Sequence, residues 1–119
     1  MGRSSGALVT GAPDGGGVLT ISPTVLEEIA SYEMAATEGA VPAREGVMQG
    51  VFRRRGVHGV RVQIAGEEAT FHLTFGVRAG ARMPDVAAEV RRRVASAVRA
   101  KTGYAVSMVN VVIDHVAFE

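Results

Sequence analysis

The chain has 119 residues, of which 47% are hydrophobic and 21% are charged, and this composition is typical of a single globular domain with its own core. It contains no cysteine, which excludes disulfides, thiolate metal sites and cysteine nucleophiles. No apolar run approaches the ~20 residues of a membrane span, and no signal-peptide pattern follows the N-terminus, so we expect a cytoplasmic protein.

The first part of the chain predicts a short strand and one helix. Residues 1–17 hold six of the fifteen glycines, and we expect a flexible N-terminal segment there, followed by one folded domain over residues 18–119. Residues 18–21 predict a strand. Ser22 and Pro23 then favour a helix start, because the serine hydroxyl caps free amide groups and proline at the first helical position loses no useful donor.

The middle of the chain predicts a β-hairpin. Residues 39–56 contain several glycines and give no clear period, so we expect a loop. Beyond them the hydrophobic period switches to two, which is typical of strands with one buried side. Two alternating runs are joined by a short polar turn at residues 65–68, and this pattern predicts an antiparallel hairpin. The inward residues are Val60, Val62, Ile64, Ala69, Phe71, Leu73, Phe75 and Val77.

A second helix and a last strand complete the predicted fold. Pro84 opens the helix, Gly103 stands where a left-handed C-cap belongs, and residues 106–116 alternate as a strand. Each helix has one apolar stripe and each strand one apolar side. The sequence therefore predicts an α+β fold, a two-layer α/β sandwich in the order strand-helix-hairpin-helix-strand, with both helices on one face of a small mixed sheet.

The sequence offers no catalytic, cofactor or metal site. It lacks nucleophile-elbow and phosphate-loop motifs, and its three histidines do not have the helical spacing of metal ligands. His72, His115 and Asp114 would make a minimal metal site if their strands paired, but a structural zinc normally takes four ligands. We therefore predict a protein that is not an enzyme, with no cofactor and no small-molecule substrate.

The cations leave a second hypothesis open. Residues 1–52 carry a net charge of −4 and residues 53–119 a net charge of +5, and twelve of the thirteen cations are arginine. Successive helical residues point in different directions, and exposed aromatic pairs for base stacking are scarce, so a solvated helix face is the favoured interpretation. The alternative is a nucleic-acid or ribosome-associated module. Its candidate contacts are Arg53, Arg54, Arg55, Arg91, Arg92 and Arg93.

Short motifs in a fixed order resemble the alkaline-shock-protein family of bacterial envelope stress response proteins. Residues 21–25 (ISPTV) are similar to its opening strand and helix, residues 59–62 (GVRV) to its "GVxV" strand and residues 83–86 (MPDV) to its "IPEV" helix. Residues 102–116 (TGYAVSMVNVVIDHV) are similar to its closing "TGL…VNVxVxGV" segment. Two local departures are residues 38–42 (EGAVP), where the family has "VPGV", and His115, where it has glycine.

The resemblance implies a small non-enzymatic cytoplasmic protein of the envelope stress response. Some family members are tethered beneath the membrane by a separate anchor protein, and others are linked to the control of fatty-acid synthesis. A scaffold or adaptor at the inner face of the membrane is thus implied, with a membrane-anchor protein or a lipid-synthesis enzyme as its partner. Asn110 is the family's most distinctive polar position, and we expect it to cap or turn-bond the sheet edge.

The outward side of the predicted sheet is the candidate protein-contact face. The helices leave this side uncovered, and an exposed strand edge can pair with another chain, so we also expect self-association. The candidate contact residues are Thr70, His72, Thr74, Asn110 and Val112.

Overall fold

The computed structural model describes residues 17–44 and 59–118, together with the backbone of residues 7–9. Two helices and six strands form in this part of the chain. In chain order they are β1 (Ala7–Val9), β2 (Val18–Thr20), α1 (Pro23–Ala36), β3 (Ala40–Val41), β4 (Val60–Ala65), β5 (Glu68–Arg78), α2 (Met83–Thr102) and β6 (Ala105–Ala117).

The main sheet has β5 at its centre. β4 pairs with β5 in antiparallel fashion from Ala65 opposite Glu68 onward, and β3 continues along the same edge with Ala40 opposite Val77. β6 pairs with β5 in parallel on the other edge, so the sheet is mixed. Parallel neighbours need a long crossover between them, and α2 supplies it.

Both helices lie on the same face of this sheet. α1 packs against α2, β3 and β4, while α2 also packs against β6. Burial of a side chain of valine size or larger is worth about 1.5–3 kcal/mol, so this shared core holds the two layers together. The predicted two-layer α+β sandwich is confirmed. The largest fully buried residues are Tyr104, Phe71, Phe75, Leu26, Leu73, Val77, Val90, Val94 and Val98.

The predicted helix boundaries rest on the expected caps. The Ser22 hydroxyl accepts a hydrogen bond from the Thr24 amide at 3.1 Å, and Pro23 is the first residue of α1. At the other end of the fold, Gly103 takes a φ of 84° after α2, and its amide donates to the Arg99 carbonyl at 3.0 Å. Glycine adopts this left-handed conformation without the steric cost of a Cβ atom, which is why Gly103 in the sequence correctly predicted the end of α2.

Two short strands differ from the prediction. β2 pairs with β1 in a separate two-stranded ribbon, with Leu19 opposite Leu8, instead of joining the main sheet. β3 forms inside the predicted loop over residues 39–56, because a two-residue strand has no detectable period. Residues 45–56 of that loop lie outside the described residues, as do residues 1–6 and 10–16 of the predicted flexible segment.

Candidate protein-contact face

Alternation along β5 and β6 places the five predicted contact residues on one face of the sheet, opposite the helices. Thr70, His72 and Thr74 are half-buried, while the residues between them belong to the core. The parallel register sets His72 opposite Asn110 and Thr74 opposite Val112. We call this surface the open face. Its described members are Arg61, Gln63, Thr70, His72, Thr74, Met108, Asn110 and Val112.

Polar side chains on the open face are bonded across three strands. The Asn110 amide nitrogen donates to His72 Nδ1 at 3.4 Å, and His72 Nε2 donates to Gln63 Oε1 at 3.2 Å. Asn110 lies in the middle of β6, which is an edge strand of the main sheet, and its side chain bonds to the neighbouring strand β5. It has the predicted position at the sheet edge, and its contact is across the strands and not a cap or a turn bond.

Two exposed apolar side chains lie on β6 beside this polar chain. Met108 is 55% exposed and Val112 is 58% exposed, and each is two residues from Asn110 along the strand. Sequence analysis identified Val112 and missed Met108. The signal was available, because residue 108 has the same parity as residues 110 and 112 in an alternating strand.

The end of the open face is closed by a hydrogen-bonded cluster. His115 lies opposite Gly76, and a Cβ at Gly76 would approach His115 Nδ1 to 2.6 Å, so the imidazole occupies the space that the glycine leaves. His115 Nδ1 donates to Asp114 Oδ1 at 2.6 Å, and the Arg44 backbone amide donates to Asp114 Oδ2 at 2.9 Å. The segment after β3 is thereby tied to β6, on the far side of β5.

The charge of Asp114 is stabilised in this cluster. Burial acts to raise the pKa of Asp114, but the hydrogen bonds from His115 and from the Arg44 amide outweigh it, and the net effect lowers the pKa. His72 lies opposite Asn110, four residues along β5 from the position opposite His115, so the two histidines do not meet. Within residues 17–44 and 59–118, no group of three or more potential ligands could hold a metal ion.

Each of the three candidate arginines on α2 contacts another group of the chain. Arg91 Nε donates to the Val109 carbonyl at 3.1 Å. Arg92 pairs with Glu89 at 2.6 Å and lowers the pKa of that carboxyl, chiefly through the hydrogen bond. Arg93 lies 3.4 Å from Glu33 on α1 and 3.7 Å from Glu89, so Arg92 and Arg93 share the Glu89 carboxylate. The other three candidates, Arg53, Arg54 and Arg55, lie outside the described residues.

The chain matches the model of a protein family with a cell envelope-related function, the alkaline-shock-protein family, over residues 12–118. The chain belongs to the alkaline-shock-protein family. The resemblance carried by the short motifs is thereby confirmed for nearly the whole chain. No curated protein and no solved structure gave a match. Neither helix in the described part of the chain has the length and apolarity needed to cross a membrane.

Proposed function

We propose that this alkaline-shock-family protein is a non-enzymatic scaffold or adaptor of the envelope stress response. It acts in the cytoplasm, at the inner face of the membrane, by binding a protein partner through its open face. The partner is a membrane-anchor protein or an enzyme of lipid synthesis. Membership of a family with a cell envelope-related function supports the setting, and the open face supports the mode of action.

The observation that carries this proposal is the asymmetry of the sheet. One face is covered by both helices, while the other presents Met108 and Val112 to solvent beside bonded polar side chains. An apolar pair next to oriented amide and imidazole groups is the composition expected of a small protein interface, where apolar contact supplies affinity and polar groups supply specificity. The described members of this face include no cluster of cations.

A charge placed on the open face tests the proposal. Thr74 is half-buried at the centre of the face, opposite Val112, so the Thr74→Arg variant should fold and place a cation where a partner would pack. We expect the variant to lose an envelope partner that the tagged wild type retains when both are isolated from the native host. Circular dichroism checks that the fold is intact.

The matched control is Ala88→Arg, which adds the same charge at an exposed position of α2, on the helix side of the sheet. The control should recover the partner as the wild type does. Equal recovery by Thr74→Arg and wild type would contradict a role for the open face. Loss from both variants would assign the effect to added charge and not to the surface.

A further inference from the structure

Among the described residues, β6 pairs with β5 alone, and no described strand lies along its outer edge. The amides of Thr74 and Arg78 donate to carbonyls of Gly59 and Gly39, so even-numbered residues of β5 face β4 and β3, and odd-numbered residues face β6. In a parallel pair, a residue of β5 that directs its backbone groups toward β6 bonds to the two residues flanking the one opposite it. The residue of β6 directly opposite therefore directs its own N–H and C=O groups away from β5. The residues opposite positions 71, 73 and 75 therefore direct N–H and C=O groups to the outer edge; they are Val109, Val111 and Ile113.

A single side chain is bonded to this edge in the described part of the chain. Arg91 reaches from α2 and donates from Nε to the Val109 carbonyl at 3.1 Å. The backbone groups of Val111 receive no such cover from the described residues. A long, apolar edge strand with unpaired backbone groups is a template for another strand. Arg91 masks one acceptor of that template.

The side chains of β6 are self-complementary about Asn110. In an antiparallel pair centred on Asn110, Met108 of each copy lies opposite Val112 of the other, so the two exposed apolar side chains cover each other. The same register sets Val109 opposite Val111 of the second copy, and both direct their backbone groups to the outer edge. The pairing of β6 with β5 is regular over residues 108–113, so this register applies to residues 108–112. That stretch carries no charged side chain, so no like charges meet.

We propose that a second copy of this chain pairs with β6 along its outer edge, antiparallel and centred on Asn110, so that one sheet continues through both copies. The other outer edge, β4, is less suited, because it has six residues and its exposed side chains are Arg61, Gln63 and Ala65. In the paired state the Val111 amide of one copy donates to the Val109 carbonyl of the other, and it displaces the Arg91 side chain from that carbonyl. This pairing uses the backbone edge of β6 and does not require that the open face bind an envelope partner.

A single cysteine tests the register, since the chain contains none. Residues opposite each other in a non-hydrogen-bonded antiparallel pair have Cα atoms about 4.5 Å apart, which lies within the range that a disulfide spans. Asn110→Cys should therefore give a disulfide-linked dimer under mild oxidation. Arg61→Cys, on the open face of β4, is the matched control and should give no disulfide-linked dimer, because its β6 edge is unchanged and the two cysteines lie far apart in the pairing. Equal cross-linking of both variants, or none of Asn110→Cys, would overturn the proposal.

A second measurement keeps Asn110 intact. Arg91→Ala removes the side chain that masks the Val109 carbonyl, so sedimentation should show dimerisation strengthened several-fold relative to the wild type. Arg99→Ala removes the same charge from an exposed position of α2 whose side chain has no hydrogen bond to the described residues of β6, and should leave the dimer constant unchanged. A monomeric Arg91→Ala, or the same change in both variants, would contradict pairing at this edge.

Discussion

At the scale of single residues, Gly59 is the position where the fold depends most plainly on the absence of a side chain. Its φ is +82°, and a Cβ there would lie 2.7 Å from the Thr74 carbonyl oxygen, a backbone atom that cannot rotate away. The Thr74 amide also donates a hydrogen bond to the Gly59 carbonyl at 2.8 Å, so the two backbones are held close together. The glycine therefore secures the start of β4 against β5.

Gly59→Ala should destabilise the protein more than a positive φ alone explains. Gly66 is the control, because it also has a positive φ, +66°, but a Cβ there would have nothing within 4 Å. We expect Gly66→Ala to lower the free energy of unfolding by about 1 kcal/mol, and Gly59→Ala to lower it by about 1–3 kcal/mol more, the range for overpacking. Urea denaturation measures both. Equal losses of unfolding free energy in the two variants would show that the backbone at Thr74 accommodates the added Cβ at no energetic cost.

At the scale of elements, Asp114 joins two pieces of chain that the sequence separates by 70 residues. It accepts hydrogen bonds from the His115 ring and from the Arg44 amide, which follows β3. Since these bonds lower the pKa of Asp114 in the folded state, its contribution to stability is fully present above the unfolded pKa of about 3.8 and is lost as the pH falls through the lower folded value.

Asp114→Asn should therefore destabilise the protein by about 1–2 kcal/mol at pH 7, and the difference from the wild type should shrink as the pH falls below about 4. Denaturation at a series of pH values measures this. The control is Asp85→Asn, because Asp85 and its partner Arg82 are 72% and 74% exposed, and such a pair is worth less than about 1 kcal/mol. A pH-independent loss in Asp114→Asn would contradict the role of its charge.

The elements also show where sequence patterns suffice. The hairpin, α2 and β6 were predictable because each has a sustained period and a terminal signal, such as Gly103 with its φ of 84°. β3 and the pairing of β1 with β2 were not, because strands of two or three residues give no period and their partners are set by tertiary packing. β2 itself was predicted as a strand over residues 18–21. The parallel pairing of β5 with β6 also depends on tertiary structure, because α2 must carry the chain back across the sheet between the two strands.

At the scale of the whole molecule, the sequence predicts which residues share the open face, but not the hydrogen bonds between their side chains. Alternation alone groups His72 and Asn110, whereas their contact, and the link from His72 to Gln63, depend on a register that no single strand encodes. The contacts of Arg91, Arg92 and Arg93 likewise follow from what packs around α2. The sequence shows that they are adjacent, and the fold shows that Arg91 contacts β6 while Arg92 and Arg93 share Glu89.

The central claim is that this protein works by contact with another protein and not with nucleic acid. The most direct measurement is recovery of the tagged protein at its native level, with nuclease treatment and a salt series, read by mass spectrometry. We predict that an envelope-associated partner remains bound through nuclease treatment and moderate salt, because salt weakens an apolar and hydrogen-bonded contact little. Recovery of ribosomal or other nucleic-acid-bound proteins that disappear with nuclease or moderate salt would contradict it.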